Sequence, residues 1–378
     1  MINSPSLSEK YGLPISLKTS VIDSQHNFFI EVDGNDIFLE IPLDFSAIDK
    51  STPNLDDYLV GFYTKKKVKE SEIKRLKNND SDGVIGWIIP ILSIESSEHE
   101  KSNLPGFLRY AFISLFALFK SYPKYGKVNI DALHQKPSVN LSQLFYDELV
   151  IVLIYKPMTS LADLQSLCSQ LLDQGLVKLT ERDPSEIKFI KSITEENTFN
   201  LKIKPISSLI KENILIEKVL HEQFPYESTP AFRFFILYQI VELLIEKVYF
   251  HQQEKLISDL IASKHDLSQA KDIFEKIQGF TSEKKRMTLL FDKYTSNNHD
   301  FSSLITISKS LLSGMNNDNE KSDIVSNLYP IRNFIVHNYR NFKTEHNSKL
   351  DELVEDILSY IPSILSNYHE PLVESTQI

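Results

Sequence analysis

The segment TPAFRFFILYQIVELLIEKV, residues 229–248, reads as the start of a long helix. Thr229 fits the N-cap, since its side-chain oxygen can accept from a backbone N–H that the first turn leaves unpaired. Pro230 suits the first helical position, where its missing N–H costs nothing. Behind them Phe234, Leu237, Tyr238, Val241, Leu244, Ile245 and Val248 recur at helical spacing, and the pattern runs on to Ile261. The same texture continues downstream. Asp266 to Ile277 reads as a shorter helix stopped by Gly279, Thr281-Ser282 begins another through Tyr294, and Phe301 to Leu312 ends at Gly314. A polar loop is expected from Met315 to Lys321. A further helix is expected to begin near Pro330, and Lys349 to Leu365 reads as the last, with Pro362 as a point of kinking. Helices joined by short connections predict an all-α bundle over residues 205–378.

Upstream of Pro205 the pattern is different, and residues 1–204 read as an α+β region. Phe28 to Val32 and Ile37 to Ile41 alternate around Asp33-Gly34, a hairpin signal because glycine accepts the positive φ such turns require. Leu59 to Tyr63 and Val84 to Leu92 are further strand-like runs. Between them Lys65, Lys66, Lys67, Lys69, Lys74, Arg75 and Lys77 form a basic stretch, read as an RNA-contacting patch or a solvated amphipathic connection. Pro105 opens an apolar helix that ends near Tyr122-Pro123. Leu141 to Tyr155 is apolar and fits helix or strand. Leu161, Leu164, Leu167, Cys168, Leu171 and Leu172 share one helical face, with Gly175 as the stop. Short strands are expected at Val177–Thr180, Lys188–Ile193 and Phe199–Lys204. Neither an internal repeat nor a low-complexity tract is present.

Composition narrows the function classes. The 378 residues are 42% hydrophobic and 24% charged, the balance of a globular protein. No apolar run reaches the roughly 20 residues of a membrane span, and the N-terminus lacks the pattern of a secretory signal, so a cytoplasmic protein is expected. Cys168 is the single cysteine, which excludes an intrachain disulfide framework and any multi-cysteine zinc site. The net charge of −10 argues against nucleic-acid binding through overall charge, so any RNA contact must come from a few placed cations.

One run carries chemistry: Leu328-Tyr329-Pro330-Ile331-Arg332-Asn333-Phe334-Ile335-Val336-His337-Asn338-Tyr339. A helix starting at Pro330 would put Arg332 near the positive end of the dipole, where a bound anion would account for it. At about 100° per residue Asn333 and His337 share a face, while Arg332 lies about 140° from His337 and is long enough to swing toward it. Ile331, Phe334 and Ile335 remain to pack on the bundle. On spacing alone, an arginine and a histidine five apart are more often surface residues.

The run nevertheless resembles the ribonuclease motif of the HEPN family: an arginine, a polar residue, three more residues and a histidine, late in a helical bundle. The resemblance covers about residues 205–370; residues 1–204 resemble no family. It implies a metal-independent endoribonuclease, acting as a toxin or antiviral effector, that cuts by attack of the RNA 2′-OH. It implies Arg332, Asn333 and His337 as catalytic residues. His337 would move the proton, Arg332 would stabilise charge on the phosphorane, and Asn333 would hold phosphate or orient His337. It implies a homodimer or a heterodimer, with the homodimer favoured, because such domains pair their motifs across one cleft. In the HEPN toxins controlled by nucleotidyltransferase antitoxins, a tyrosine stands two residues after the histidine, and Tyr339 fits that spacing as a regulatory position. Residues 1–204 would sense a trigger or bind a regulatory protein. The alternative is a HEPN-like module that binds RNA, a nucleotide or a protein without cutting, and a third possibility is a purely structural adaptor.

Other candidates are weaker. Glu242, set between Val241 and Leu243, and Glu246 stand one turn apart on the long helix and read as a solvated face, although the resemblance implies that a polar residue of this helix can face the cleft. His251, His299 and His346 have no companion at a ligand spacing, and no metalloprotease, CxxC, Walker or dinucleotide motif occurs. Neither metal nor cofactor is expected.

Overall fold

The computed structural model describes residues 16–371 apart from 23–24, 33, 49–52, 80–81, 122–125, 127–135, 181, 192–198, 280–281, 296–299 and 316–322. The Tyr122-Pro123 helix end, Asp33, Thr281, His299 and nearly all of the expected polar loop after Met315 lie outside the described residues. The chain divides into two compact units. The first takes Met1–Leu164, Gly175–Pro184 and Ile193–Ile203, and the second takes Gln165–Gln174, Ser185–Ser192 and Lys204–Ile378.

The first unit is β-rich. Strands β1 (Ser16–Ile22), β2 (Gln25–Val32) and β3 (Asn35–Leu39) form an antiparallel meander. The register pairs Val32 with Asn35, so only Asp33 and Gly34 separate β2 from β3, and Gly34 takes φ 78° as the hairpin reading requires. Then follow β4 (Tyr58–Thr64), β5 (Lys74–Lys77), β6 (Val84–Pro90), β7 (Ser138–Val139), β8 (Leu149–Tyr155), β9 (Val177–Lys178) and β10 (Asn200–Lys202). They complete one sheet of order β1-β2-β3-β7 and another of order β10-β5-β6-β8-β4-β9. Helices α1 (Ile91–Ile94), α2 (Pro105–Lys120) and α3 (Leu141–Leu144) belong to this unit.

Burial explains these elements. Every residue of β8 except Tyr155 is buried, so its unbroken apolar run is a central strand covered on both faces. Helix α2 packs on β1, β6 and β8, and its Phe107, Phe112, Leu115 and Leu118 join Phe28, Ile30, Trp87 and Ile151 in one core. Each such side chain contributes about 1.5–3 kcal/mol over its exposed state. The ambiguous run 141–155 holds both elements: Asn140 and Gln143 close a capping box on α3, and β8 follows. The basic stretch is no mere connection, because Lys74–Lys77 is a ladder strand between β6 and β10, with Lys74 and Leu76 buried. At Lys188 and Phe189 no strand forms; both N–H groups donate to the Pro225 carbonyl at 2.9 Å instead.

The second unit is helical: α4 (Cys168–Asp173), α5 (Ile214–Glu217), α6 (Pro230–Ala262), α7 (Leu267–Gly279), α8 (Glu283–Leu289), α9 (Ser302–Gly314), α10 (Ile324–Asn338) and α11 (Asn347–Asn367). Helix α11 lies against α4, α6 and α9, burying Leu350, Leu353, Val354, Leu358 and Ile361. The expected helix 161–172 shrinks to a 3-10 turn, Gln165–Leu167, followed by α4. Its apolar face (Leu167, Cys168, Leu171 and Leu172, all buried) draws segment 165–174 into the second unit, so the partition is not the single break near Pro205 that the texture implies. Among the described residues no helix is long and apolar enough to cross a membrane.

A second difference concerns the motif. Helix α10 starts at Ile324, six residues before Pro330. Asp323 is its N-cap and accepts from the Ser326 N–H at 2.7 Å, while Ile324, Val325 and Leu328 are buried. Cap and burial together outweigh the proline, which sits inside the helix and cannot donate to the Ser326 carbonyl. Arg332 is therefore mid-helix and His337 is in the last turn.

Candidate functional site

Helices α6, α8 and α10 meet at a groove of about 580 Å³ whose lining includes Glu242, Glu246, Glu283, Arg286 and Arg332. Placement follows from local sequence. Glu242 is on α6 between the buried Val241 and Leu243, one turn beyond the buried Tyr238. Glu283 opens α8, where a carboxylate meets the positive end of the helix. Arg332 follows the fully buried Ile331 on α10 and turns inward rather than to solvent.

The guanidinium is held on several sides. Its Nη2 donates to Glu242 Oε1 at 2.8 Å and its Nη1 to Asn333 Oδ1 at 3.1 Å. Its Nε lies 3.7 Å from Glu283 Oε1, an ion pair without a hydrogen bond. The Tyr238 ring sits beneath it, 5.7 Å from centroid to Cζ, and the Tyr238 hydroxyl donates to Glu283 Oε1 at 3.2 Å. Burial works against the charge on Arg332, but the bond to Glu242 and the fields of Glu283 and Glu242 outweigh it, so the guanidinium stays charged. Burial, reinforced by Glu283, pushes the Tyr238 phenol far above its usual range and keeps it a neutral donor.

Arg332 and Asn333 are thus brought together, and His337 is not with them. His337 is exposed, lines no part of the groove, and its ring makes no hydrogen bond or ion pair with a described residue. The expectation that Arg332 answers the positive end of its helix is corrected: its counter-charges are Glu242 and Glu283, and α10 begins two turns earlier. Glu242, read from sequence as solvated, is the closest carboxylate partner of Arg332, while Glu246 is exposed as expected. Tyr339 lies in the 3-10 turn Tyr339–Asn341 after α10 and is 39% exposed.

The other candidates have structural places. His251 Nδ1 is 2.7 Å from the buried Tyr294 hydroxyl, and the buried His346 packs edge-on against Phe342. Lys65 pairs with Glu72, and Lys66 and Lys67 form the turn after β4, with Lys67 in the left-handed region at φ 57°. These lysines belong to the first unit and the groove to the second. Among the described residues, no three His, Cys, Asp or Glu side chains cluster as metal ligands.

No family model matches the chain, and neither a curated protein nor a solved structure matches it. A permanently charged fork lies beside an amide, fixed by two carboxylates, and an unengaged imidazole stands at the end of the same helix. Such groups can bind a phosphate and move a proton, but one chain does not present all of them to one point.

Proposed function

We propose that the helical unit is a HEPN-type, metal-independent endoribonuclease, a toxin or antiviral effector that cuts RNA by 2′-OH attack. The observation that supports this reading most is the pairing of Arg332 and Asn333, held at 3.1 Å within a helical bundle, with an unencumbered His337 five residues on. RNA supplies its own nucleophile, so the site needs a proton carrier and a stabiliser of phosphorane charge. His337 is the carrier and Arg332 the stabiliser. Two of the five guanidinium N–H groups are hydrogen-bonded, to Glu242 and Asn333, so donors remain for a phosphate. The two groups diverge on the helix, and a second copy completes the site by presenting its motif across the same cleft. In this reading the β-rich unit holds a regulatory role, answering a trigger or a protein antitoxin.

A second reading is favoured by the groove itself. Three glutamates against two arginines make it a poor seat for a phosphate, which suits a non-catalytic binding module in which Arg332 is a structural ion-pair partner.

The two separate by cleavage of a mixed RNA pool in EDTA, comparing wild type with His337→Ala and Arg332→Ala at matched folding and oligomeric state. The nuclease reading expects wild-type products with 2′,3′-cyclic phosphate ends and a loss of about 100-fold or more in either variant. Equal background from all three proteins removes a constitutive nuclease and leaves an untriggered enzyme or the binding module, which adding cell lysate or a candidate partner separates.

A further inference from the structure

Past the end of α10, two exposed rings and one half-buried ring touch in series. Phe232, in the first turn of α6, is 51% exposed and contacts Tyr339, 39% exposed, with centroids 5.6 Å apart. Tyr339 in turn stacks on Phe342 at 6.1 Å and 21°. Single exposed apolar residues need no explanation, but a contiguous file of rings does. Cations flank it: Arg340 is exposed and carries no ion pair among the described residues, and Lys343 has one, to the exposed Glu345 at 3.4 Å. A cation just past a helix end also meets the negative end of the dipole. That accounts for Arg340 and leaves the rings unexplained.

We infer that Phe232, Tyr339 and Phe342 form a stacking platform for the unpaired bases of single-stranded RNA, with Arg340 and Lys343 on its phosphates. This rests on the ribonuclease reading and adds to it the form of the substrate. Every base has a π-face, so stacking on exposed rings is tolerant of sequence, and a duplex hides those faces. The patch carries more positive than negative charge on an otherwise acidic protein, which favours a polyanion over an apolar protein surface. Tyr339 is two residues from His337, which places both at the same end of α10.

The test uses the full chain and a fluorescein-labelled 12-nucleotide 2′-O-methyl RNA, which cannot be cut because its 2′-oxygen is blocked. Fluorescence anisotropy is expected to show tighter binding of the single strand than of the same sequence as a blunt duplex. Phe232→Ala with Tyr339→Ala is expected to weaken the single strand by about tenfold or more. Tyr339→Phe keeps the ring and is expected to bind as wild type does, and an unchanged circular dichroism spectrum and melting temperature of the double-alanine variant separate a lost platform from a lost fold. Equal affinity of the double-alanine variant, equal affinity for duplex, or no binding by wild type overturns the platform. So does a changed oligomeric state with unchanged RNA affinity, which would assign the rings to a contact between copies. Cleavage of ordinary RNA is followed separately. Platform binding without cleavage, with cell lysate or a candidate partner also present, ends the nuclease reading alone, and cleavage insensitive to Phe232 and Tyr339 ends the platform alone.

Discussion

Arg332 is engaged by Glu242, Asn333, Glu283 and the Tyr238 ring before any ligand arrives. Removing it strands two part-buried carboxylates on one wall of the groove, with Glu242 35% and Glu283 21% exposed at the side chain. Arg332→Ala is therefore expected to cost about 1–3 kcal/mol, read from the urea midpoint, and Arg332→Lys should recover only part, since one ammonium cannot reproduce the fork. An unchanged midpoint would mean that solvent already screens the pair. Glu242→Gln keeps an acceptor for Nη2 and deletes one negative charge. It is expected to raise kcat/KM for RNA several-fold if Arg332 meets phosphate, and to leave RNA handling unchanged if Arg332 is only structural. None of this was legible locally. Glu242 and Glu246 look alike in sequence, and the partner that separates them lies 90 residues away.

At the scale of elements, α10 positions the motif, and Asp323 starts it. Burial alone would raise the Asp323 carboxyl, but its bonds from Ser326 outweigh burial and hold it below the usual carboxylate value. A depressed carboxyl stabilises the fold above its unfolded value of about 3.9, and that contribution is lost as pH falls through the lower folded value. Asp323→Ala is expected to cost about 1 kcal/mol at pH 7, and the gap from wild type should close as pH drops below about 4. A gap independent of pH would show that the capping charge does not matter. The sequence contains this start, yet Pro330 is the stronger local signal and pulls the reading two turns too late. Other elements were plain. Pro230–Ala262 form one helix because a proline start and a long apolar face agree, although the Thr229 N-cap makes no side-chain bond, and the turn at Gly34 follows from backbone sterics. Leu141–Tyr155 is ambiguous because its apolar run Leu149–Tyr155 carries no periodicity, and the four-residue helix Leu141–Leu144 is too short to show one.

For the whole molecule, charge decides how RNA binding responds to salt. The chain carries −10, and the platform offers Arg340 and a partly neutralised Lys343, so few phosphates can be neutralised. The logarithm of affinity for single-stranded RNA is expected to fall with the logarithm of salt at a slope of about −1, as for one to two phosphate contacts. A slope steeper than about −3 would require a basic surface elsewhere, and Lys66 and Lys67 would be the first residues to change.

The chain passes between its two units after Leu164, Gln174, Pro184, Ser192 and Ile203. A single cut in the gene between Cys168 and Lys202 therefore leaves neither half with all of its own elements. On the ribosome, the six-stranded sheet waits for its parallel edge strand, Asn200–Lys202, while stretches of the helical unit have already emerged. Shuffling the helical unit onto another protein would mean carrying along two short pieces from the middle of its neighbour. Such a pair is inherited together or not at all.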